Sequence, residues 1–533
     1  MAGIQACVGT FTLPLGPTTG PQTVTGIADV TGTPFTPKAI IIWGTYSGQY
    51  APGGSQVWDS LGLDDGTQHS GQCLVSQYEV GTPWRGTVQS TAYSILTCQS
   101  IFSAAARTEG YISAFGSGSF TYTLDLNEDG TETFGFLALG GDALLVTSLI
   151  FGSGIAGTAV AGETYTVTGV GFPPTGGIFL NNVPANGAYN GGNNSLSLGF
   201  CDSACTQYSQ CASTQDDTAP VNAVRHLHSG VIVSDNDAIG AGQQQDSCTL
   251  TGWTSDGFTA TCLNGLRPKA AALLIGGVTT LVGTFAEPAT NGSQTVPIAG
   301  MVPAAVLLMS VGATAAAGSP ETTSESWAVG AYDGIHAWAY WHGLLQGGTS
   351  TTNGGAVWGA ANVLQFAQNN GPDSTTVTKQ GTLTGTALTN GAFAGTWSQT
   401  DGTARSVAYF AFGLPATPPP PPTTVAIRRR RIVPLPFAQH QQLFLGRLEL
   451  LMQLGMGTTT SVDPQVLVRL SKDGGFTWNA ERSLRVGKMG EYLRRCYSVN
   501  FGQGRQWVLE VSMTDPVASY WLDAFVAVVQ GTS

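Results

Sequence analysis

A set of landmarks that recurs three times along residues 1–414 is the feature that most constrains the fold of this chain. The closing glycines Gly140, Gly276 and Gly413 are spaced by 136 and 137 residues. An apolar run precedes each of them, such as Phe-Leu-Ala-Leu at residues 136–139. Regular spacing of this kind indicates tandem copies of one domain. The predicted copies span residues 1–145, 146–280 and 281–414.

The start of each copy carries matching landmarks as well. In the first copy, Val-Gly-Thr-Phe at residues 8–11 precedes a polar Gln-Thr-Val segment and then an apolar run at residues 39–43. The third copy repeats this order from residue 282, and the second copy shows it in weaker form from residue 156. Landmarks at both ends of the unit argue against a chance spacing.

Within each copy the pattern indicates β-structure. The chain has 72 glycines and is 42% hydrophobic and only 10% charged, which is too apolar for a disordered polymer. An Asp-Gly pair near the end of each copy predicts a hairpin. We therefore expect an all-β chain whose copies are β-sandwiches of the jelly-roll or immunoglobulin-like type. Polar middle sections, such as residues 187–215 and 346–372, predict long loops.

Beyond the third copy the composition changes. Five consecutive prolines at residues 418–422 predict a stiff polyproline spacer, and four arginines follow at residues 428–431. We assign residues 415–431 to a linker rich in Pro and Arg, and residues 432–533 to a small β-rich domain. Arginine and lysine are concentrated in this domain, although the whole chain has a net charge of −12.

Three polar clusters in the last domain are the most specific motifs of the sequence. The first is a predicted strand that runs into an Asp-Gly-Gly turn, where Asp bonds its own backbone and Gly accepts a positive φ. The second is a Gly-Glu-Tyr-Leu-Arg-Arg segment, and the third contains an Asp-Pro pair. The assembly or interface candidates that we select from these clusters are Asp473, Gly474, Gly475, Trp478, Glu491, Tyr492, Arg494, Arg495, Asp515 and Pro516.

The order of these motifs resembles the C-terminal module of the tail-hub proteins of short-tailed bacteriophages, also called nozzle or packaged-DNA stabilisation proteins. The resemblance includes Asp-Pro-Gln-Val at residues 463–466, Ser-Lys-Asp-Gly-Gly-Phe-Thr-Trp at 471–478 and Thr-Asp-Pro-Val at 514–517. Those hubs usually contain a β-propeller, whereas this sequence has no blade-like period. Its first three domains instead resemble β-domains of uncharacterised phage structural proteins.

The resemblance implies a non-enzymatic structural protein of the phage tail, assembled in the host cytoplasm and carried in the virion. By the family pattern it would form a ring of six copies, contact the portal or adaptor and other tail proteins, continue the DNA conduit and help to retain the genome. No cofactor is expected. We expect Glu491, Arg494 and Arg495 to form ion pairs between subunits. Trp478 and Tyr492 are candidate interface aromatics, with a core position as an equal alternative for Trp478.

Charged and sulfur-containing clusters have more than one interpretation. Arg428, Arg429, Arg430 and Arg431 are either DNA or docking contacts or the solvated end of the linker. The spacing of Cys201, Cys205 and Cys211 fits zinc only loosely, so we assign no metal. Cys248 and Cys262 flank a predicted hairpin and are expected to face each other across its strands. Asp64 and Asp65 predict a solvated turn, because adjacent strand residues point to opposite faces and cannot flank one glycosidic bond.

The net charge and the lengths of the apolar runs argue against several classes of protein. A net charge of −12 and a pI near 4.8 argue against general affinity for nucleic acid. The N-terminus has no signal-peptide pattern, and no apolar run approaches the length of about 20 residues that spans a bilayer. Two alternatives to a hub stay open. One is a tail fibre or tip protein whose repeat loops bind host-surface glycans, and the other is an enzyme that acts on polysaccharide.

Overall fold

A computed structural model describes most of the chain. The described residues are 3–45, 56–77, 85–99, 105–128, 132–152, 162–183, 193–215, 223–236, 244–262, 270–314, 324–345, 353–369, 377–416, 428–435, 441–455, 462–515, 517 and 521–530. They form β-strands, and none of them belongs to a helix long and apolar enough to cross a membrane. The chain divides into two compact units, Met1–Pro418 and Pro419–Ser533.

The described strands of the first unit fall into three sets of ten in chain order, and each set is called a copy below. The first copy contains β1 (Gln5–Thr12), β2 (Gly20–Thr25), β3 (Pro37–Thr45), β4 (Gln56–Asp64), β5 (His69–Gln77), β6 (Arg85–Ser90), β7 (Ile95–Gln99), β8 (Ala105–Gly116), β9 (Ser119–Asn127) and β10 (Thr133–Gly140). The second contains β11 (Leu145–Phe151), β12 (Glu163–Val167), β13 (Pro174–Val183), β14 (Asn193–Cys201), β15 (Gln207–Gln215), β16 (Ala223–Ser229), β17 (Val233–Asn236), β18 (Gln244–Thr254), β19 (Gly257–Cys262) and β20 (Ala270–Gly276). The third contains β21 (Thr279–Ala286), β22 (Gly292–Pro297), β23 (Met301–Ser310), β24 (Ser324–Tyr332), β25 (Ala337–Leu345), β26 (Asn353–Ala360), β27 (Asn362–Asn369), β28 (Val377–Thr389), β29 (Ala392–Gln399) and β30 (Ser406–Pro415).

Each copy folds into the same pair of antiparallel sheets. In the first copy a six-stranded sheet has the order β1-β10-β3-β4-β5-β6, and a four-stranded sheet has the order β2-β9-β8-β7. The second copy has the orders β11-β20-β13-β14-β15-β16 and β12-β19-β18-β17, and the third has β21-β30-β23-β24-β25-β26 and β22-β29-β28-β27. The predicted all-β fold with tandem sandwiches is confirmed.

The closing glycines that reveal the repeat are required by close packing. A Cβ atom on Gly140 would lie 2.5 Å from the ring of Phe35, and one on Gly276 would lie 2.5 Å from the ring of Phe172. At Gly413 the obstacle is a backbone carbonyl oxygen, at 2.1 Å. Contacts this short would push the adjacent segment of the same chain away. Each copy therefore keeps a glycine where the closing strand passes that segment.

The strands of the six-stranded sheets are buried on both faces. In β3, Ile40 and Ile42 pack with the four-stranded sheet of their own copy. Ile41 and Trp43 point the other way, into a second core to which all three copies contribute. Burial on both faces is why this strand reads as a continuous apolar run instead of an alternating one.

Hydrogen bonds join the copies in a closed cycle. In each copy, an aspartate in the turn between the fourth and fifth strands accepts a bond through Oδ2. The donor is the backbone N–H of the fourth residue of the first strand in another copy. The pairs are Asp65 with Ser148 at 2.6 Å, Asp202 with Val282 at 3.0 Å, and Asp333 with Val8 at 2.8 Å. A contact that repeats three times and returns to its starting copy closes a ring of three domains within one chain.

Two sequence predictions about these copies are wrong. Asp64 does not lie in a solvated turn, because its side chain is fully buried and accepts bonds from Ser94 Oγ at 2.5 Å and Ile112 N–H at 3.0 Å. The sections 187–215 and 346–372 contain β14, β15, β26 and β27, so they are not long loops. Small polar residues occupy these strands because packing against neighbouring strands outweighs their low strand propensity.

The second unit is a smaller β-sandwich. Its strands are β31 (Arg429–Pro434), β32 (Leu443–Met452), β33 (Gln465–Ser471), β34 (Arg482–Arg485), β35 (Cys496–Gly504), β36 (Val508–Met513) and β37 (Trp521–Gln530). The two sheets have the orders β31-β36-β33-β34 and β35-β32-β37. They enclose Leu445, Leu470 and Trp507, which are fully buried. Because β31 begins at Arg429, the predicted linker 415–431 extends too far at its C-terminal end.

Candidate assembly site

The Asp-Gly-Gly turn after β33 is a hydrogen-bonded loop. Asp473 Oδ1 accepts bonds from the Ser471 hydroxyl at 2.6 Å and the Thr477 N–H at 2.8 Å, and Oδ2 accepts one from the Thr477 hydroxyl at 2.5 Å. These bonds favour the carboxylate and hold the pKa of Asp473 well below its usual range. Gly474 and Gly475 have φ angles of +79° and +106°, which suit glycine. The loop is therefore held in one conformation.

The loop carries two aromatic side chains in different environments. Phe476 is 89% exposed. Trp478 is half-buried, and the Arg469 guanidinium lies 4.8 Å from its ring centroid. This stack lies outside the buried apolar core of the unit, so the core alternative for Trp478 is wrong. A rigid loop with an exposed phenylalanine is suited to contact another protein.

The second cluster lies at the other end of β34. Glu491 pairs with Arg494 at 3.2 Å. Arg495 donates two bonds, of 2.7 Å and 2.9 Å, to Glu449 of β32. Tyr492 is exposed. The charged residues of this cluster thus have partners within the same chain, and their use between subunits stays a prediction.

The third cluster joins the second one in space. Asp515 Oδ2 accepts a bond from the N–H of Gln465 at 2.7 Å, and its carbonyl oxygen accepts one from Arg429 at 2.5 Å. Gln465 pairs with Arg485 at the end of β34, so Asp515 lies at the end of the sandwich that holds the second cluster. The Asp473 turn is at the opposite end. Pro516 lies outside the described residues.

Three of the four arginines at residues 428–431 lie in strand β31, and Arg428 directly precedes that strand. Arg428 pairs with Glu481 at 2.5 Å, and Arg430 pairs with Glu510 at 2.5 Å. Arg431 is exposed on β31. Contact of this group with DNA or an acidic partner stays a prediction.

Sequence reasoning missed Glu510, which organises this face of the sandwich. Its side chain is 1% exposed and lies 2.7 Å from Arg469, 2.5 Å from Arg430 and 3.5 Å from Arg428. Burial by itself raises the pKa of Glu510, but the hydrogen bonds from Arg469 and Arg430 outweigh it and leave the pKa lowered. The available signal was a single glutamate inside the apolar strand β36.

The cysteines of the second copy do not assemble into one site. Cys211 lies opposite Ser197 in the sheet, four positions along β14 from Cys201, and Cys205 lies in the turn that follows β14. Within the described ranges, no group of three His, Cys, Asp or Glu side chains is arranged to hold a metal ion. Cys248 and Cys262 face each other across β18 and β19, as expected, and form a disulfide.

Comparison with known proteins finds one family match, and it lies in the second unit. Residues 428–526 match the family model described as bacteriophage P22 Gp10, β-sandwich. This match supports a bacteriophage structural protein. No curated protein matches the chain. A solved structure of PNGF-II aligns over 92% of this chain and 99% of its own, at 7% identity and a TM-score of 0.11, which carries no argument about fold or function.

Proposed function

We propose that the chain is a non-enzymatic structural component of a bacteriophage tail. It forms an oligomeric hub or nozzle ring that continues the DNA conduit, carries other tail parts and helps to retain the packaged genome. The observation that carries this proposal is the match of residues 428–526 to the phage β-sandwich family. The chain would be assembled in the host cytoplasm and remain in the virion.

The distribution of charge supports this role. Residues 428–533 contain 13 Lys and Arg against 8 Asp and Glu, whereas residues 1–427 contain 8 against 25. A basic module suits contact with DNA phosphates or with acidic portal and adaptor proteins. An acidic first unit has little affinity for DNA, so it would not retard DNA that moves past it.

The mass of the assembled protein tests the proposal. A ring of six copies, each of 55.1 kDa, should give a sixfold mass in native mass spectrometry and a ring in electron micrographs. An antibody against residues 428–533 should label the tail of the particle near the capsid. Monomers under assembly conditions, or label at the distal tips of fibres, would contradict the hub role.

The ring that the three repeated domains form within one chain favours a second candidate function. Three equivalent domains around one axis present three equivalent surfaces, and such an arrangement strengthens weak binding to a repeated glycan. A tail fibre or tip protein that binds host-surface glycans would use it in this way. Purified protein should then adsorb to host cells, whereas a hub should not.

A further inference from the structure

Among its described residues, the sandwich of the second unit has four edge strands, and three of them are protected against pairing with another chain. β31 carries three arginines and Pro434. β34 spans only the four residues Arg482–Arg485. β35 is covered by Arg482, which donates side-chain bonds to the carbonyl oxygens of Val499 and Asn500 at 2.5 Å and 3.1 Å. Charges, proline, shortness and covering side chains are the usual means of blocking an edge.

β37 is less protected than these three strands, although it carries one charge. In the described part of the unit it pairs with β32 alone, so its other edge has no strand partner there, and Asp523 Oδ1 accepts a bond from the Ala524 N–H at 2.8 Å. It is ten residues long, and Asp523 is its one charged residue. Phe525 and Val529 are 56% and 66% exposed. A long, apolar edge with so little protection is a template for addition of a strand.

The side of β37 that faces the core is also open. Val528 lies opposite Leu445, which is fully buried, yet Val528 itself is 44% exposed. A cleft of about 260 Å³ separates the margins of β31 and β37, and its lining includes Leu435, Leu450 and Leu522 together with Arg431 and Asp523. A further strand beside β37 would cover Val528 and narrow this cleft.

We infer that β37 pairs antiparallel with β37 of another molecule of this protein. The two three-stranded sheets would then become one sheet of six strands. The inference goes beyond the proposed function, which needs copies to associate but names no contact. An interface of this type uses the same surface on both copies. It therefore joins two chains about a two-fold axis, and it is a separate contact from the head-to-tail one that closes a cyclic ring.

The sequence of β37 is self-complementary in this arrangement. Residues directly opposite each other in an antiparallel pair share one face of the sheet. A pairing centred on Ala527 meets this condition. It sets Phe525 opposite Val529 on the outer face and Val526 opposite Val528 on the inner face. Asp523 of one copy then lies far from Asp523 of the other, so no like charges oppose each other.

Charge substitutions at the centre of the pair test the inference. Ala527 is exposed in the single chain, so Ala527→Lys and Ala527→Glu should fold normally, which circular dichroism can check. Each variant places like charges opposite each other, so self-association should weaken by roughly tenfold or more. An equimolar mixture should restore association by pairing Lys with Glu. The matched control, Ile432→Lys on the protected β31, should associate like the wild type.

Sedimentation of the full chain gives the readout. A wild-type chain that stays monomeric at every concentration would overturn the inference. So would an assembly whose mass does not change in either Ala527 variant, although such an assembly would leave the proposed ring intact. Dimers that dissociate in the variants, without any larger assembly, would support the pairing and contradict the ring.

Discussion

Asp59 of the first copy and His342 of the third lie 2.5 Å apart, and both side chains are fully buried. They join the third copy to the first, the two copies that are not consecutive in the sequence. At the equivalent strand positions the second copy has Leu196 in place of Asp59, and the first has Leu74 in place of His342. The Asp59–His342 pair therefore marks one junction of an otherwise repeated ring.

Removing one member of this pair should destabilise the first unit strongly. In His342→Leu, the buried carboxyl group of Asp59 loses its partner, and we expect a loss of about 3–5 kcal/mol in the free energy of unfolding. The double variant Asp59→Leu with His342→Leu should recover most of that loss, since Leu occupies the equivalent positions in other copies. Chemical denaturation of the wild type, both single variants and the double variant measures the coupling. If the losses of the two single variants add up in the double variant, the two residues are not coupled and the prediction is wrong.

The bond from the Val8 N–H to Asp333 can be tested while the two backbone bonds that Asp333 accepts in its own turn are kept. Oδ1 of Asp333 accepts bonds from the N–H groups of Ile335 and His336, while Oδ2 accepts the Val8 N–H and also lies 3.1 Å from His336 Nδ1. Asp333→Asn can keep the Oδ1 bonds but presents an NH₂ group to Val8. We expect a loss of about 1–3 kcal/mol in the free energy of unfolding, because a buried N–H loses its acceptor.

Asp202→Asn is the corresponding variant for the next junction, and it should cost a similar amount, because Asp202 Oδ1 also accepts two N–H groups of its turn while Oδ2 accepts the Val282 N–H. Chemical denaturation of both variants measures the two losses. A loss at only one junction would show that the three contacts are not equivalent in energy.

Glu287 should make the first unit less stable as the pH rises. Burial raises the pKa of Glu287 from 4.5 to about 7, although Arg405, at 2.7 Å, opposes the shift. The folded state therefore binds this proton more tightly than the unfolded state. The stabilisation that protonated Glu287 provides is fully present below the pKa that the residue has in the unfolded state. It is lost as the pH rises through the pKa of the folded state. Between about pH 4.5 and pH 7 the loss should be on the order of 2–3 kcal/mol.

Glu287→Gln removes this titration, so its unfolding free energy should depend less on pH over the same range. Unfolding curves at several pH values give the comparison, with the exposed residue Glu163 changed to Gln as the control. Parallel pH profiles for the wild type and Glu287→Gln would contradict the assignment.

The Asp473 turn should loosen when its acceptor is removed. Asp473→Ala leaves the Thr477 N–H without the bond of 2.8 Å, and we expect exchange of that amide to become roughly tenfold faster. Hydrogen exchange followed by mass spectrometry or NMR can measure this. Asp463→Ala removes an ion pair with Arg485 at the other end of β34 and should leave the Thr477 amide unchanged. Equal exchange in the wild type and Asp473→Ala would mean that the loop does not depend on this carboxylate.

Much of the fold follows from local sequence signals. The repeated glycines and apolar runs identified three copies, and the Asp-Gly-Gly turn was evident because its residues bond to one another over a few positions. The interpretation of Asp64 was wrong because its burial depends on Ser94 and Ile112, which are distant in the sequence. Glu510 was missed for the same reason, since the arginines that compensate its charge come from β31 and β33.

The sequence by itself determined that the chain is all-β, that its first part is a repeated domain and that its last part resembles a phage module. These properties depend on periodicity, turn chemistry and short motifs, which are local. Only the tertiary structure decided that the copies close into a ring through Asp65, Asp202 and Asp333, and that β37 is the least protected edge of the last sandwich. Such relationships depend on which strands become neighbours. That choice is made by burial of apolar surface across the whole chain, which residue spacing does not encode locally.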